Sequence, residues 1–281
     1  MLRTVLIVLV AMNLSLFRWV SGFRTLSSLR RTTRHFHYES GDSVRPENPL
    51  LPVGQGVGTD SVLLVSIEGN IGAGKSTLLD ALRDSNKDWV FIDEPVKDWG
   101  TFKNEAGESM LEVFYKDRRR WSYTFQNCAL LTRYQCIEEA VRRHGSGPVL
   151  GGGNEVQTTK RRVFITERCL ETDYYVFTKM LREDGSLDKL EFDLYERWFK
   201  QLKRTSTPLS GIVHVATSPE ISAQRIIKRG REGEQSIDLN YLRALDKYQR
   251  AWIDSGTVPS VRADVSDAHL VQKFIQGLLD K

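Results

Sequence analysis

The nonapeptide GNIGAGKST at residues 69–77 constrains the fold more than any other feature of the chain. It fits the pattern G-x-x-x-x-G-K-[ST], which joins a buried strand to the start of a helix. An apolar run, VLLVSIE at 62–68, precedes it, and a helical period follows over 75–85. The segment therefore predicts a loop whose backbone N–H groups surround the phosphate oxygens of a nucleoside triphosphate.

The residue types of this loop indicate how it would hold a nucleotide. Glycines let the backbone curl so that N–H groups point inward, and the start of the following helix favours an anion. Lys75 would reach the β- and γ-phosphates of ATP, and the Ser76 hydroxyl would ligate Mg²⁺. The residues predicted to bind the nucleotide are Gly69, Asn70, Ile71, Gly72, Ala73, Gly74, Lys75, Ser76 and Thr77.

Short apolar runs alternate with longer helical periods along residues 61–281. Such alternation predicts a parallel sheet that is covered by helices on both faces. Strands are predicted at 62–68, 89–93, 162–166, 211–217 and 260–264. Helices are predicted near 75–85, 109–143, 171–183, 188–204, 219–229, 238–254 and 266–280. The expected fold class is α/β, a P-loop kinase fold built on a five-stranded parallel sheet flanked by helices.

The first 38 residues differ in charge from the rest of the chain. They contain six arginines and no acidic residue, which is typical of an import leader. We predict a targeting leader over 1–38, mitochondrial rather than secretory-type, although the apolar run 5–17 also fits a secretory signal. A cytoplasmic protein is the remaining alternative. Residues 39–60, with three prolines, are predicted to be a flexible linker before a folded domain over 61–281.

The charge of the predicted domain bears on its partners. The whole chain has 40 basic and 36 acidic residues; without the six leader arginines the count is 34 against 36, a net charge of −2. A folded domain with this net charge gives no argument for nucleic-acid binding. The apolar run 5–17 is shorter than the roughly 20 residues that span a bilayer. No stable membrane insertion is therefore expected.

Glu94 lies at the carboxyl end of the second predicted strand. In open α/β sheets these strand ends face the ligand crevice. A carboxylate there could accept a proton from an attacking hydroxyl group, because phosphoryl transfer leaves the protein mainly positioning and charge stabilisation. The chain has no N-K-x-D segment of the kind that reads guanine in GTPases. A small-molecule kinase is therefore favoured over a GTPase.

Four further segments resemble signature segments of the deoxyribonucleoside kinases. They are EPVKDW at 94–99, RWSYTFQ at 120–126, ERCLETDYYVF at 167–177 and RIIKRGREGEQ at 225–235, in the family's order and at similar spacing. The resemblance covers roughly residues 62–255. It implies a deoxynucleoside kinase domain over 61–281 that transfers the γ-phosphoryl group of ATP, with Mg²⁺, to a deoxynucleoside 5′-hydroxyl. It also implies a homodimer, as is general in the family.

The resemblance implies roles for individual residues. Glu94 matches the general base, and Arg168 matches the arginine that holds this base; with Lys75 they form the implied catalytic set. Glu167 matches a carboxylate near Mg²⁺, beside Ser76. An arginine-rich lid would fold over the phosphates, since each guanidinium can make two hydrogen bonds to phosphate oxygens. The implied lid arginines are Arg225, Arg229 and Arg231.

The implied substrate site has a sugar end and a base end. Tyr115 and Glu234 match the pair that binds the sugar 3′-hydroxyl, and the Gln126 amide would pair with the base edge. The implied substrate-binding residues are Glu94, Trp99, Tyr115, Phe125, Gln126, Arg133, Arg168, Asp173, Phe177 and Glu234. Arg133 and Asp173 match a charged pair of deoxycytidine and deoxyguanosine kinases. We therefore expect a purine deoxynucleoside or deoxycytidine rather than thymidine, and deoxyguanosine first.

Some residues depart from the family pattern. Gly233 stands where the family usually has the first of two glutamates, Tyr174 replaces a commonly basic residue, and Cys169 replaces a serine. The Gly-rich segment 144–162 is predicted to be an exposed loop without a family counterpart, and Trp121 is predicted to lie in the core.

Two alternative functions stay open from the sequence. A nucleoside monophosphate kinase shares the loop and the lid, but it needs arginines for an acceptor phosphate where this chain has Glu94. A non-catalytic structural member of the fold, such as an accessory subunit of respiratory complex I, would not require Lys75, Glu94 or Arg168.

Overall fold

The structure of the protein is a computed structural model in which residues 61–145, 161–231 and 233–281 are described. The predicted leader over 1–38, the predicted linker over 39–60 and nearly all of the predicted loop over 144–162 lie outside these residues. Within the described part, no helix has the length and apolar character needed to cross a membrane.

Five parallel strands form one sheet, as the sequence predicts. They are β1 (Val62–Glu68), β2 (Val90–Ile92), β3 (Arg162–Glu167), β4 (Leu209–Val215) and β5 (Ser260–Ala263). Their order across the sheet is β2-β3-β1-β4-β5, with every neighbouring pair parallel. The strand that precedes the glycine-rich loop is therefore the central one, and every residue of β1 is buried.

Helices cover both faces of this sheet. They are α1 (Lys75–Ser85), α2 (Val96–Thr101), α3 (Met110–Lys116), α4 (Arg118–His144), α5 (170–183), α6 (Lys189–Thr205), α7 (Pro219–Arg229), α8 (Leu239–Asp254) and α9 (Ala268–Leu279). Helix α5 is α-helical over Leu170–Thr172, π-helical over Asp173–Thr178 and α-helical again over Lys179–Glu183. A 3₁₀ turn, Glu234–Ser236, precedes α8.

The prediction of one helix over 109–143 is wrong, because α3 and α4 are separate helices that meet at Asp117. The Asp117 N–H donates to the carbonyl of Val113 and closes α3. Its backbone then leaves the helical region, and its carboxylate accepts a hydrogen bond from the Arg120 N–H at the start of α4. A short acidic side chain favours this capping position over a helix interior. Helix α2 was not predicted from the sequence.

The two faces of β1 pack against different helices. Leu63, Val65 and Ile67 belong to a cluster with α1 and α9, of which Leu82 and Ile275 are central members. On the opposite face Val62 and Leu64 pack against α4 residues such as Ile137 and Val141. A parallel strand buried on both faces reads as a continuous apolar run, which is why β1 was predictable. This packing fixes the loop after β1 relative to α1 and α9.

Candidate active site

The carboxyl ends of three neighbouring strands gather the polar side chains. The loop 69–74 joins β1 to α1, Glu94 lies two residues after β2, and Glu167 and Arg168 lie at the end of β3. Because the carboxyl ends of parallel strands meet at one edge of a sheet, these segments border one crevice. A cavity of about 560 Å³ opens at this edge.

The glycine-rich loop is held closely on both sides. Gly72 and Gly74 have positive φ angles of 76° and 99°. A Cβ atom at Gly72 would lie 2.6 Å from the carbonyl oxygen of Ser222 on α7, and one at Gly74 would lie 2.5 Å from Val265. Any side chain at these positions would displace its neighbours. The loop thus has the compact curl that a phosphate cradle requires.

Lys75, Ser76 and Glu167 meet at the start of α1. The buried Lys75 ammonium donates to the carbonyl of Asn70 at 3.0 Å and lies 3.5 Å from Oε1 of Glu167. The Ser76 hydroxyl donates to Oε2 of the same carboxylate at 3.1 Å. Burial, together with the charge of Arg168, lowers the pKa of Lys75 to about 8. A cation, a hydroxyl and a carboxylate therefore face the region where phosphates and a metal ion would lie.

Some of the residues predicted to bind the nucleotide do not line the cavity, and two of these hold the loop in place. The Asn70 amide donates to the carbonyl of Leu242 on α8 at 2.8 Å and ties the loop to that helix. Arg225 does not line the cavity; its guanidinium donates to the carbonyl of Ala73 at 2.6 Å from the outer side of the loop. Thr77 is exposed on the first turn of α1, and the backbone of Gly69 is buried.

One carboxylate oxygen of Glu94 receives two guanidinium groups. Its Oε1 lies 3.1 Å from Nη2 of Arg133 and 3.1 Å from Nε of Arg168. Burial opposes the ionisation of Glu94, but the charges of Arg168, Arg133 and Lys75 outweigh burial and hold its pKa at about 2. Glu94 is therefore ionised at neutral pH.

Arg133 contacts three groups at once. Its Nε lies 2.9 Å from Oδ2 of Asp173, its Nη1 donates to the carbonyl of Glu167 at 2.9 Å, and its Nη2 contacts Glu94. Both Arg133 and Asp173 are about 2% exposed. The pair is therefore a structural connection between α4, β3 and α5 as well as a polar wall of the cavity.

Arg168 is the one non-glycine residue with a positive φ angle, 66°, among the described residues. Its N–H donates to the carbonyl of Ile67 at 3.2 Å, and its carbonyl accepts from the Thr166 hydroxyl at 2.9 Å. Such a backbone conformation costs of order 1–3 kcal/mol and persists only where neighbours hold it. In this backbone conformation the Arg168 guanidinium contacts Glu94.

Aromatic residues and a buried amide form the end of the cavity away from the loop. Phe125 meets Trp99 edge-on at a centroid distance of 5.2 Å and stacks on Phe114 at 4.5 Å. Beside them, Gln126 is 1% exposed and its Oε1 has no hydrogen-bond partner within the described part of the chain. A buried acceptor without a partner is costly unless a ligand supplies a donor.

Glu234 and two of the three predicted lid arginines, Arg229 and Arg231, form a second cluster at the cavity. Arg229 Nη2 lies 2.6 Å from Oε2 of Glu234, and Arg231 Nη1 lies 3.3 Å from its Oε1. The Ser236 hydroxyl donates to the carbonyl of Tyr115 at 3.4 Å, which docks this turn on α3. Arg229 and Arg231 are thus paired with a carboxylate predicted to bind the sugar.

Most of the predicted site residues line this single cavity. Those that do so are Ile71, Gly72, Lys75, Ser76, Glu94, Trp99, Tyr115, Phe125, Gln126, Arg133, Glu167, Arg168, Asp173, Phe177, Arg229, Arg231 and Glu234. Gly69, Asn70, Ala73, Gly74, Thr77 and Arg225 are placed beside or behind it. Trp121 is half-buried at the edge of the core rather than inside it.

A model of the deoxynucleoside kinase family matches residues 65–275. The protein belongs to the deoxynucleoside kinase family. The mitochondrial deoxyguanosine kinase of Xenopus laevis is 31% identical over 206 residues, 69% of this chain and 74% of the relative. Deoxycytidine kinase 1 of the same species is 29% identical over 209 residues, 69% and 75%. Human deoxycytidine kinase is 30% identical over 204 residues, 67% and 74%.

The predicted fold class and the predicted kinase class are therefore confirmed for this deoxynucleoside kinase. The two alternatives, a nucleoside monophosphate kinase and a non-catalytic structural member, are not favoured by these relatives.

Sequence reasoning missed several polar residues of this deoxynucleoside kinase. Glu68, fully buried at the end of β1, was interpreted only as part of a strand, although a carboxylate in an apolar run was a visible signal. Arg83, Asp93 and Lys97 also line the cavity. Arg83 lies on α1, Asp93 directly follows β2, and Lys97 lies on α2. Their proximity is visible only in the folded chain.

Proposed function

We propose that this deoxynucleoside kinase transfers the γ-phosphoryl group of ATP to the 5′-hydroxyl of a purine deoxynucleoside or of deoxycytidine. The observation that carries the proposal is the position of Glu94. It lines the same cavity as Lys75 and the aromatic slot, and Arg168 and Arg133 contact one of its oxygens. A hydroxyl group bound there would have a proton acceptor on one side and phosphate ligands on the other.

Glu94 would take the proton of the sugar 5′-hydroxyl. The oxygen of that hydroxyl forms a bond to the γ-phosphorus while the bond from this phosphorus to the β,γ-bridging oxygen breaks, and ADP leaves. A carboxylate with a pKa of about 2 is a weak base. It suffices because phosphoryl transfer has a loose transition state in which little proton transfer is needed early. Lys75, Arg168 and the loop N–H groups stabilise the developing charge.

The chain offers oxygen ligands for Mg²⁺ at the start of α1. The Ser76 hydroxyl and the Glu167 carboxylate lie 3.1 Å apart, and oxygen donors of these two kinds suit Mg²⁺. These two side chains would hold Mg²⁺, whose charge would offset part of that of the β- and γ-phosphates. Among the described residues there is no cluster of three or more His, Cys, Asp or Glu that could hold a metal ion.

The substrate would lie with its sugar near Tyr115 and Glu234 and its base in the aromatic slot. Gln126 can offer a donor and an acceptor to a base edge, and no described residue donates a hydrogen bond to its Oε1. The charged Arg133–Asp173 pair fits amino or ring N–H groups of a base better than the thymine methyl group. The relatives named for deoxycytidine and deoxyguanosine support this preference, and we place deoxyguanosine first.

We further propose that residues 1–38 direct the protein to mitochondria. The support is the arginine-rich, acid-free composition of this segment, together with a relative that carries the word mitochondrial in its name. Import of a fusion of residues 1–60 to a fluorescent protein would test the proposal; a fluorescent signal in the cytosol or secretory pathway would contradict it.

Steady-state assays of the full-length protein with ATP and Mg²⁺ test the proposed activity. Each of the four deoxynucleosides is supplied in turn, and kcat/KM for monophosphate formation is measured. We expect deoxyguanosine, deoxyadenosine or deoxycytidine to exceed thymidine. If thymidine is the best substrate, the proposed kinase activity stands, but the Arg133–Asp173 pair does not exclude thymine. No turnover of any deoxynucleoside by folded, ATP-binding protein would contradict the proposal.

The assay has a matched pair of variants. Glu94→Gln keeps the shape of the side chain but removes the proton acceptor, so kcat should fall by about 10²- to 10⁴-fold while ATP binding persists. Asp98→Asn removes an exposed carboxylate on α2, four residues away, and should leave kcat unchanged. Near-normal turnover by Glu94→Gln would show that Glu94 is not the general base.

A further inference from the structure

Glu68 is a fully buried carboxylate that the proposed reaction does not use. Its Oε1 accepts hydrogen bonds from the hydroxyls of Ser66 and Thr172, both at 2.5 Å, and from the Cys169 thiol at 3.4 Å. Its Oε2 accepts from the Gln249 amide at 3.3 Å. Within the described part of the chain it forms no ion pair at 4 Å or less. Burial raises the pKa of Glu68; the charge of Arg168 opposes this rise most strongly, followed by the hydrogen bonds from Ser66 and Thr172.

The hydrogen bonds of Glu68 join three elements below the site. Glu68 ends β1, Thr172 lies in the first turn of α5, and Gln249 lies on α8. Glu68 is also the residue immediately before the glycine-rich loop. The carboxylate therefore anchors the start of α5 to the central strand of the sheet.

Thr172 links this anchor to Arg168. The Thr172 hydroxyl accepts from the Cys169 N–H at 3.4 Å, and the Thr172 N–H donates to the carbonyl of Cys169 at 3.1 Å. The turn 169–172 starts directly after Arg168, whose backbone has the strained positive φ angle. A strained residue keeps its conformation only if the segments on both sides are fixed. On the carboxyl side, the fixed point is the contact between Thr172 and Glu68.

The same anchor reaches the second arginine of the site. Asp173 follows Thr172 directly, and its carboxylate holds Nε of Arg133 at 2.9 Å. Both guanidinium groups on Glu94 therefore depend on the segment 168–173: Arg168 belongs to it, and Arg133 is paired with it. A shift of this segment would move both cations relative to Glu94.

We propose that Glu68 is a positioning residue for phosphoryl transfer, which through Thr172 fixes the segment 168–173 so that Arg168 and Arg133 converge on Glu94. The proposal rests on the proposed function for its effect on rate. Supporting residues of this kind typically change activity 10- to 100-fold. A displacement of about 1 Å at a reacting centre has an effect of similar size.

The decisive comparison is between two substitutions of Thr172. Thr172→Val keeps the volume and removes the hydroxyl, so kcat should fall by about 10- to 100-fold, with KM for ATP and for the deoxynucleoside changed by less than about threefold. Thr172→Ser keeps the hydroxyl and loses a methyl group, so it should retain kcat within about threefold although its core packing is poorer. Glu68→Gln should lower kcat in the same direction as Thr172→Val.

Gln249→Met is the control for a purely structural role. It removes a hydrogen bond to the other oxygen of Glu68, on the side of α8, and keeps a side chain of similar length. We expect a loss of thermal stability comparable to that of Thr172→Val, with kcat within about threefold of the wild type. If kcat instead falls in step with the melting temperature across all four variants, Glu68 is only structural and the proposal is overturned.

A spectroscopic measurement separates this proposal from the proposed function. The Nε–H resonances of Arg168 and Arg133 report their contacts with Glu94 and Asp173 and require no turnover. In ¹H–¹⁵N spectra they should move in Thr172→Val and Glu68→Gln but stay in place in Gln249→Met and Thr172→Ser. Unmoved resonances in Thr172→Val overturn the positioning role, whereas an inactive wild type with the expected shifts overturns the proposed activity alone.

Discussion

At the scale of single residues, the charge of Glu94 depends on its neighbours. Arg168, Arg133 and Lys75 keep its pKa at about 2 in the folded protein, against an ordinary value of 4.5. A carboxyl group whose pKa is lower in the folded state stabilises the protein above the ordinary pKa. This stabilisation is lost as the pH falls from 4.5 toward 2, because the unfolded chain then binds a proton that the folded chain does not.

Urea denaturation of the wild type and of Glu94→Gln at several pH values tests this dependence. We expect the wild type to have the larger free energy of unfolding at pH 7 and pH 6, by a constant difference. The difference should shrink between pH 4.5 and pH 3. A difference that stays constant down to pH 3 would show that the three cations do not hold Glu94 in its charged form.

Arg133 and Asp173 allow a prediction about substrate choice. Replacing both, as Arg133→Met with Asp173→Ala, removes the charges and opens space for the thymine methyl group. The ratio of kcat/KM for thymidine to that for deoxycytidine or deoxyguanosine should therefore rise. Because Arg133 also holds Glu94, kcat should fall for every substrate, so the ratio is the quantity to measure. An unchanged ratio would show that other residues determine which base is accepted.

At the scale of elements, the strands and the glycine-rich loop could be predicted, because apolar runs and glycine spacing are local signals. The break at Asp117 was missed because one short side chain interrupts a long helical period, and α2 was missed because it spans only six residues. The π-helical segment Asp173–Thr178 also has no sequence signal. The contacts of the site follow from these elements: Arg133 meets Asp173 only because α4 packs on α5.

The close approach of Gly233 to α3 allows a prediction about the turn that carries Glu234. It has a φ angle of 84°, and a Cβ atom there would lie 3.2–3.4 Å from side-chain and backbone atoms of Glu112 on α3. Gly233→Ala should therefore add a close contact to about 1–2 kcal/mol of backbone strain. We expect a lower melting temperature and a lower kcat/KM, since the 3₁₀ turn that carries Glu234 would shift.

Gly107→Ala is the matched control for this prediction. Gly107 has a similar φ angle of 82°, but no atom lies within 4 Å of a Cβ added there. It should show the backbone strain alone, with a smaller loss of stability and an unchanged kcat/KM. Equal effects of the two substitutions on stability and on kcat/KM would mean that the contact between Gly233 and Glu112 has no importance.

At the scale of the whole molecule, we expect a homodimer formed by α4 and α6. These two helices pack together and expose Leu131, Leu190 and Leu194 at 41%, 68% and 42%. We therefore expect the exposed leucines of these two helices to contribute to an interface. Light scattering after size exclusion should give the mass of a dimer for the wild type and a smaller mass for Leu190→Lys with Leu194→Glu.

Ile227→Lys serves as the control for the dimer. Ile227 is 81% exposed on α7, away from α4 and α6 in the chain, and its replacement should leave the mass unchanged. A monomeric wild type, or a double variant that keeps the wild-type mass, would contradict an interface at these leucines. The sequence alone predicted the dimer only through the family resemblance, because an exposed leucine is recognisable only in the folded chain.

The three contacts of Arg133 have a consequence for how such an enzyme could evolve. One guanidinium borders the base slot through Asp173, steadies the proposed proton acceptor Glu94 and supports the backbone of Glu167. A mutation at Arg133 that admits a new base would therefore slow the reaction with every base. Lineages that changed their nucleoside preference would have to acquire a substitute cation near Glu94 beforehand, which makes the order of mutations as important as their identity.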